Sequence, residues 1–365
     1  MRTGRADGEN HTVLLAIDYI EDGFPERADL KFFYGRSDVE WIELGRAAID
    51  LNRISVGGST LSKLERAIAQ GRYEAILFGA APPVWNVRKN FFRNLAKSAR
   101  YLLRDPAALA KWRTYRGLVR HVRGMRNVAG IDRTDSLVID NSRFAALDAS
   151  RVYFKRELPQ NPLNTFLYTS DKAEYTSNVL HIPFFRDQLD KLAPVAIGLE
   201  DETVRDLASR DVPKDVDLFF AGELKHRPAR IHGMKLLQRL RDEGYKLDLP
   251  EEPLPKKAYF ERASRALLAW SPEGYGYECY RTYEMAALGC VPILQYPTIQ
   301  RHAPFADGES VLHYFIDDDS LYHVVKRALD DRNKLREIGR RAREHVVAHH
   351  THSALGKHVL DRLNA

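Results

Sequence analysis

The sequence predicts an α/β protein built on two doubly wound, mainly parallel sheets, and three observations predict it. Short apolar runs alternate with helical patterns through the first half of the chain. A second α/β pattern starts afresh near Val216. The stretch from Leu268 to Leu294, LAWSPEGYGYECYRTYEMAALGCVPIL, reads as strand, glycine-bearing loop, helix and strand, which is a βαβ unit.

Along the first half, Val13 to Ile17 ends in Asp18 and is the first strand. Ile54 to Val56 and Ala75 to Phe78 read as strands, with a helical stripe between them (Leu61, Leu64, Ala67, Ile68). Gly79 to Pro83 breaks the chain. A basic segment follows as two helices split at Asp105-Pro106. Strands resume at Val128 to Ile131, Leu137 to Ile139 and Val152 to Phe154, and Val179 to Phe185 closes this half. The charged, proline-bearing stretch 186–215 reads as a connection. Beyond it lie a strand at Val216 to Ala221, a turn at Gly222 and a helix with Ile231, Met234, Leu237 and Leu240 on one side. A strand at Leu247 to Leu249 and a helix at Lys256 to Ala266 lead into the βαβ unit. Val311 to Ile316 is a strand, Asp318 or Asp319 caps a helix over 321–329, and the tail is helical with a break at Thr351.

Composition narrows the class. With 365 residues and 44% apolar content the chain supports two domains with full cores. Its two cysteines, Cys279 and Cys290, are too few for a disulfide framework, so a reduced, cytoplasmic setting is expected. The polar N-terminus MRTGRADGEN is not read as a signal peptide, and no apolar run approaches the ~20 residues of a membrane span. The net charge of +6 conceals an asymmetry. Between Asn86 and Arg126 twelve cations face one acid, giving +11 there and −5 elsewhere.

The βαβ unit carries the chemistry. Ligands of such units sit where the loop meets the helix N-terminus. Arg281 and Glu284, three apart, share a helix face, and Gly274 and Gly276 let backbone approach a ligand. Tyr275, Tyr277 or Tyr280 offers a stacking surface. A guanidinium takes phosphate oxygens and a carboxylate accepts from hydroxyls, so the pair suits a nucleotide-sugar. The plainer alternative is an ordinary βα turn with a surface Arg–Glu pair. A second candidate is FFAGELKHRPAR: Gly222 and Arg230, with Lys225 and Arg227 behind them, would seat a diphosphate at a helix start.

The stretch PEGYGYECYRTYEMAALGCVPI resembles the donor-binding segment of GT-B glycosyltransferases, particularly the exostosin-like and group 1 families. Their pattern R-x-x-E-x-x-x-x-G-C-x-P falls on Arg281, Glu284, Gly289, Cys290 and Pro292. The likeness continues through Asp307-Gly308-Glu309 and His350-Thr351, with fainter matches at HIPFF and DLFFAG. It implies two Rossmann-like domains facing a central cleft, with Glu284 on the donor's ribose and Arg281 on its pyrophosphate. It also implies that neither a cofactor nor a bound metal is needed. One departure stands out: the group 1 pattern places a second Glu eight residues before the ribose Glu, and here that position is Gly276, between Glu273 and Glu278. The contact to the transferred sugar and the stereochemistry are thereby left open.

The expected organisation is a disordered tail (1–10), an acceptor-side domain (11–190), a linker (191–213), a nucleotide-sugar domain (214–350) and a terminal helix (351–365) crossing back. Transfer to a hydroxyl needs a base. Asp132 is the first choice and Asp18 the second among the strand-end acids Asp18, Asp132 and Asp135, although such acids are more often turn formers or caps. Lys155 and Arg156 are cleft cations or surface charges. His345, His349, His350, His352 and His358 have metal-like spacing but no acidic or cysteine partners, so packed or solvated histidines are expected. Arg113, Arg116 and Arg120 lead a basic helix suited to an anionic membrane, an acidic glycan or a nucleic acid backbone, or simply to solvent. The reading is a transferase acting on a glycan or lipid-linked acceptor, peripherally membrane-associated, with no nucleic acid partner. The alternatives are a non-catalytic binding protein using the 86–126 segment and a nucleotide-sugar epimerase of the same fold.

Overall fold

The computed structural model describes residues 13–20, 28–45, 53–54, 58–82, 107–139, 143–167, 186–224, 228–316 and 319–365. The expected tail at 1–10, the basic segment up to residue 106, the strand at 179–185, Ser55-Val56, Lys225, Arg227 and Asp318 lie outside the described residues.

Two wholly parallel sheets organise the chain. The first runs β2-β1-β3-β4-β5-β6, from β1 (Val13–Asp18), β2 (Val39–Glu43), β3 (Tyr73–Phe78), β4 (Val128–Asp132), β5 (Val152–Lys155) and β6 (Leu192–Pro194). The second runs β11-β10-β9-β7-β8, from β7 (Val216–Phe219), β8 (Leu247–Asp248), β9 (Ala266–Trp270), β10 (Val291–Gln295) and β11 (Leu312–Tyr314). In both, the chain reverses its direction of travel beside its first strand, between β1 and β3 and between β7 and β9. Ligands of open α/β sheets bind in the crevice outside the carboxyl ends at that switch point.

The strands β9 and β10 are buried along their whole length, which is why they read as unbroken apolar runs. Two expectations are corrected. The partner of β1 is Val39–Glu43; Arg53 makes only an isolated bridge to Trp41. Residues 137–139 are not a strand, and the Ile139 amide donates to the Thr165 carbonyl at 3.3 Å. Within the stretch read as a connection, β6 pairs with β5, and the helix Asp201–Ala208 follows.

Backbone pairings join the two halves. Gln300 N–H donates to Leu158 O at 2.7 Å and Gln160 N–H to Thr298 O at 3.1 Å. Leu199 N–H donates to His350 O at 2.9 Å, and His352 N–H to Leu199 O at 2.8 Å. Thr351 caps the last helix, His352–Asn364, by accepting from Ala354 N–H at 3.1 Å. That helix lies on the first half: His352 meets Phe32 edge-on, His358 meets Phe154, and Arg151 Nη1 donates to Leu363 O at 2.7 Å. Among the described residues no helix is long and apolar enough to cross a membrane.

Candidate donor site

The second switch point is built by two arginines. The helix Tyr280–Ala287 follows β9 and presents Arg281 back toward β7, where Nη2 donates to Ala221 O at 2.9 Å. The guanidinium stands 5.0 Å from the Phe220 ring centroid, within cation–π range. Arg230, from the helix Pro228–Asp242, donates from Nη1 to Glu223 O and from Nε to Glu273 O, both at 2.8 Å. It therefore ties the loop after β7 to the loop after β9. Both side chains are more than nine-tenths buried, at 9% and 7% exposure. A buried cation at a helix N-terminus is an arrangement for an anion, and Cys279 at the N-cap provides no side-chain cap to occupy those amides.

Glu284 lies one turn beyond Arg281. Its Oε2 accepts from Tyr259 Oη at 3.2 Å, and burial holds its pKa above the ordinary carboxylate value despite Tyr259, Arg281 and Lys256. Tyr259 comes from the helix Lys256–Ser264 and was not foreseen.

The glycine loop divides. Gly274 sits beside Arg230, whose Nη2 would meet an added Cβ at an ordinary 3.6 Å. Tyr275 is 86% exposed at the loop tip. Gly276 and Tyr277 depart from the expected role of approaching a ligand, because the first half grips them. Glu157, fully buried on the first half, accepts from Tyr277 N–H at 2.9 Å and from Glu278 N–H at 3.1 Å. Arg156 donates to Glu278 Oε2 and to Glu278 O, each at 2.9 Å, and pairs with Asp135. Glu278 Oε2 also accepts from Ile197 N–H at 3.0 Å, and its Oε1 from Tyr283 Oη. Arg156 is thus neither a free cleft cation nor a surface charge: it bridges the halves.

Neither expected base reaches the cleft. Asp132 is wholly buried; Oδ1 accepts from Thr134 N–H at 3.0 Å and Thr134 Oγ1 at 2.6 Å, and Lys155 stands 3.4 Å from Oδ2. Burial alone would raise its pKa, but Arg143, Lys155 and Thr134 overcome that and hold it low. A buried, low-pKa carboxylate with committed oxygens does not deprotonate an acceptor arriving from solvent. Asp18 is also fully buried, accepting from Leu30 N–H at 3.0 Å and Ala80 N–H at 2.7 Å. Burial and the neighbouring Asp29 push it up to about 8, so at neutral pH it is largely a carboxylic acid. Asp135 differs, with a side chain 49% exposed, and its Oδ1 lies near Gly276 of the glycine loop.

Arg113, Arg116 and Arg120 are exposed on the helix Ala108–His121. Its other face (Tyr115, Leu118, Val119) packs into the first-half core. The C-terminal histidines are packed together: His345 and His350 both place Nε2 on Ala303 O, at 2.8 and 3.1 Å, and His302 stacks on His358 at 3.7 Å.

Residues 218–361 match the family model described as glycosyl transferase-like. The architecture is two like sheets of parallel strands, each flanked by helices. None of the curated proteins matches the sequence. Among solved structures, sucrose-phosphate synthase from Thermosynechococcus elongatus is 12% identical, over 97% of this chain and 98% of that one, with a TM-score of 0.48. Anabaena Alr3699/HepE in complex with UDP is 10% identical over 97% and 99%, with a TM-score of 0.48. The N-terminal domain of Candida albicans trehalose-6-phosphate phosphatase is 10% identical over 100% and 98%, with a TM-score of 0.49. Likeness at this level carries no assignment of substrate.

Proposed function

We propose that the protein moves a sugar from a nucleotide-diphosphate donor to a hydroxyl of a glycan or lipid-linked acceptor. The observation that carries this reading is Arg281 folded back to the β7–β9 switch point with Glu284 one turn behind it. The diphosphate sits between Arg281, Arg230 and the start of the helix Tyr280–Ala287, and Glu284 accepts from the ribose hydroxyls. In the reaction the bond from the anomeric carbon to the diphosphate breaks and a bond to the acceptor oxygen forms. The departing electron pair goes to the diphosphate, whose charge the two guanidinium groups and the helix N-terminus neutralise. These cations do the work a metal would do, so transfer is metal-independent. The acceptor proton passes to Asp135, the solvent-accessible first-half carboxylate beside the donor loop.

The exposed Arg113, Arg116 and Arg120 suit an anionic membrane that presents a lipid-linked acceptor. Chromatography of products from a panel of nucleotide-sugars, with and without acceptor and with and without a chelator, tests the reaction. Transfer that survives chelation and fails in Glu284→Gln is expected. A rearranged nucleotide-sugar formed without acceptor would make the enzyme an epimerase, and turnover unchanged in Glu284→Gln would refute the site.

A further inference from the structure

We infer that Glu157 is a positioning residue for the donor loop, so that the donor site takes its working shape only with the first half docked against it. This rests on the reading of Arg281 and Glu284 as donor contacts. The loop from Ser271 to Cys279 ends at the N-cap of the helix that carries both residues. Its own backbone closes one turn, Gly274 N–H to Gly276 O at 3.0 Å. The next two amides, of Tyr277 and Glu278, donate to the two oxygens of one carboxylate, that of Glu157. Residue 157 is 121 positions away from residue 278 and belongs to the other sheet.

The fit is made from both sides. Gly276 has no Cβ, and one added there would run into Glu157 Oε1 and stand 2.9 Å from its Cδ. Arg156 closes the other side, donating from Nε to Glu278 Oε2 and from Nη2 to Glu278 O, each at 2.9 Å, and Arg301 Nη2 donates to Tyr277 O at 3.2 Å. Buried amides that lose an acceptor do not stay in place, because each orphaned group costs about 1–3 kcal/mol. Removing the Glu157 acceptors therefore releases the segment that sets the entry of the Arg281 helix, while leaving Arg281 and Glu284 themselves intact.

The experiment compares full-length wild type, Glu157→Gln, Gly276→Ala and Glu284→Gln. Three readouts are taken: amide exchange at Tyr277 and Glu278, affinity for the tightest-binding member of a UDP, GDP and ADP panel, and donor against acceptor KM. Gly276→Ala perturbs the same contact from the loop side and keeps the Glu157 carboxylate in the chain, in case Glu157→Gln folds poorly. Exchange at both amides should rise, and nucleotide affinity should fall, each by about tenfold or more, the effect of roughly one lost hydrogen bond. Donor KM should rise with acceptor KM unchanged, and exchange in β7 and β9 should stay as in wild type. Unchanged exchange or unchanged affinity in both variants, with Glu284→Gln weakened, overturns the positioning role alone. Unchanged affinity in Glu284→Gln overturns the donor reading and, with it, the claim that the loop is positioned for a donor.

Discussion

A Cβ on Gly222 would stand 2.5 Å from Nη2 of Arg281, so the glycine after β7 is what lets that guanidinium reach back to the strand end. Gly222→Ala should therefore displace Arg281 with little effect on the core, since residue 222 is exposed. Losing a charge-assisted contact of about 1.5–3 kcal/mol predicts roughly 10- to 100-fold weaker nucleoside-diphosphate binding. Calorimetry against the melting temperature checks it: affinity should drop while the melt stays close to wild type.

Asp135→Asn separates binding from chemistry. If this carboxylate takes the acceptor proton, kcat should fall by about 10²–10⁴-fold, the usual contribution of a general base. Nucleotide affinity should be unchanged. The same substitution at Asp132 should instead lower the melting temperature, because it leaves Lys155 and Arg143 buried with a weaker partner.

Asp18 makes a pH prediction of definite sign. Its folded pKa, about 8, lies above the ordinary 3.8, so the folded state holds a proton that the unfolded state has released. Its contribution to stability is fully present below pH 4 and is lost as pH rises toward 8. Chemical denaturation across pH 5 to 9 should show a flatter profile for Asp18→Asn than for wild type over that window, whatever fixed cost the lost acceptor imposes.

The histidine cluster works in the opposite direction. Burial lowers His302 to about 4 and also lowers His345, His350 and His358, with neighbouring histidines adding to the effect at His302, His345 and His350. A depressed histidine pKa means the unfolded state binds more protons below 6.5, so stability falls as pH drops from 6.5 toward 4. His350→Gln should lose less stability over that interval than wild type. Equal losses would show that the cluster does not govern acid sensitivity.

Much of this was legible in the sequence where local pattern and structure coincide. The strands β9 and β10 are continuous apolar runs because both faces are covered, and Arg281 and Glu284 share a face of one short helix. The strand Val39–Glu43 was hidden because Glu40 and Glu43 interrupt it; Glu40 is held by Tyr73 Oη at 2.7 Å, a contact that exists only after pairing. Residues 137–139 are apolar enough for a strand but find no neighbour in the sheet. Among the site residues, Glu157 and Tyr259 escaped notice because each reaches its partner across chain distances that carry no periodic signal. Asp132 misled for a related reason. A strand-end carboxylate looks catalytic until the register sets it opposite Lys155.

Titration calorimetry of a nucleoside diphosphate into wild type, Arg281→Met and Glu284→Gln tests the central claim most directly. Saturable binding at one site per chain in wild type, weakened by about tenfold or more in each variant with the fold intact, is the predicted result. Binding of equal strength in all three proteins would contradict it.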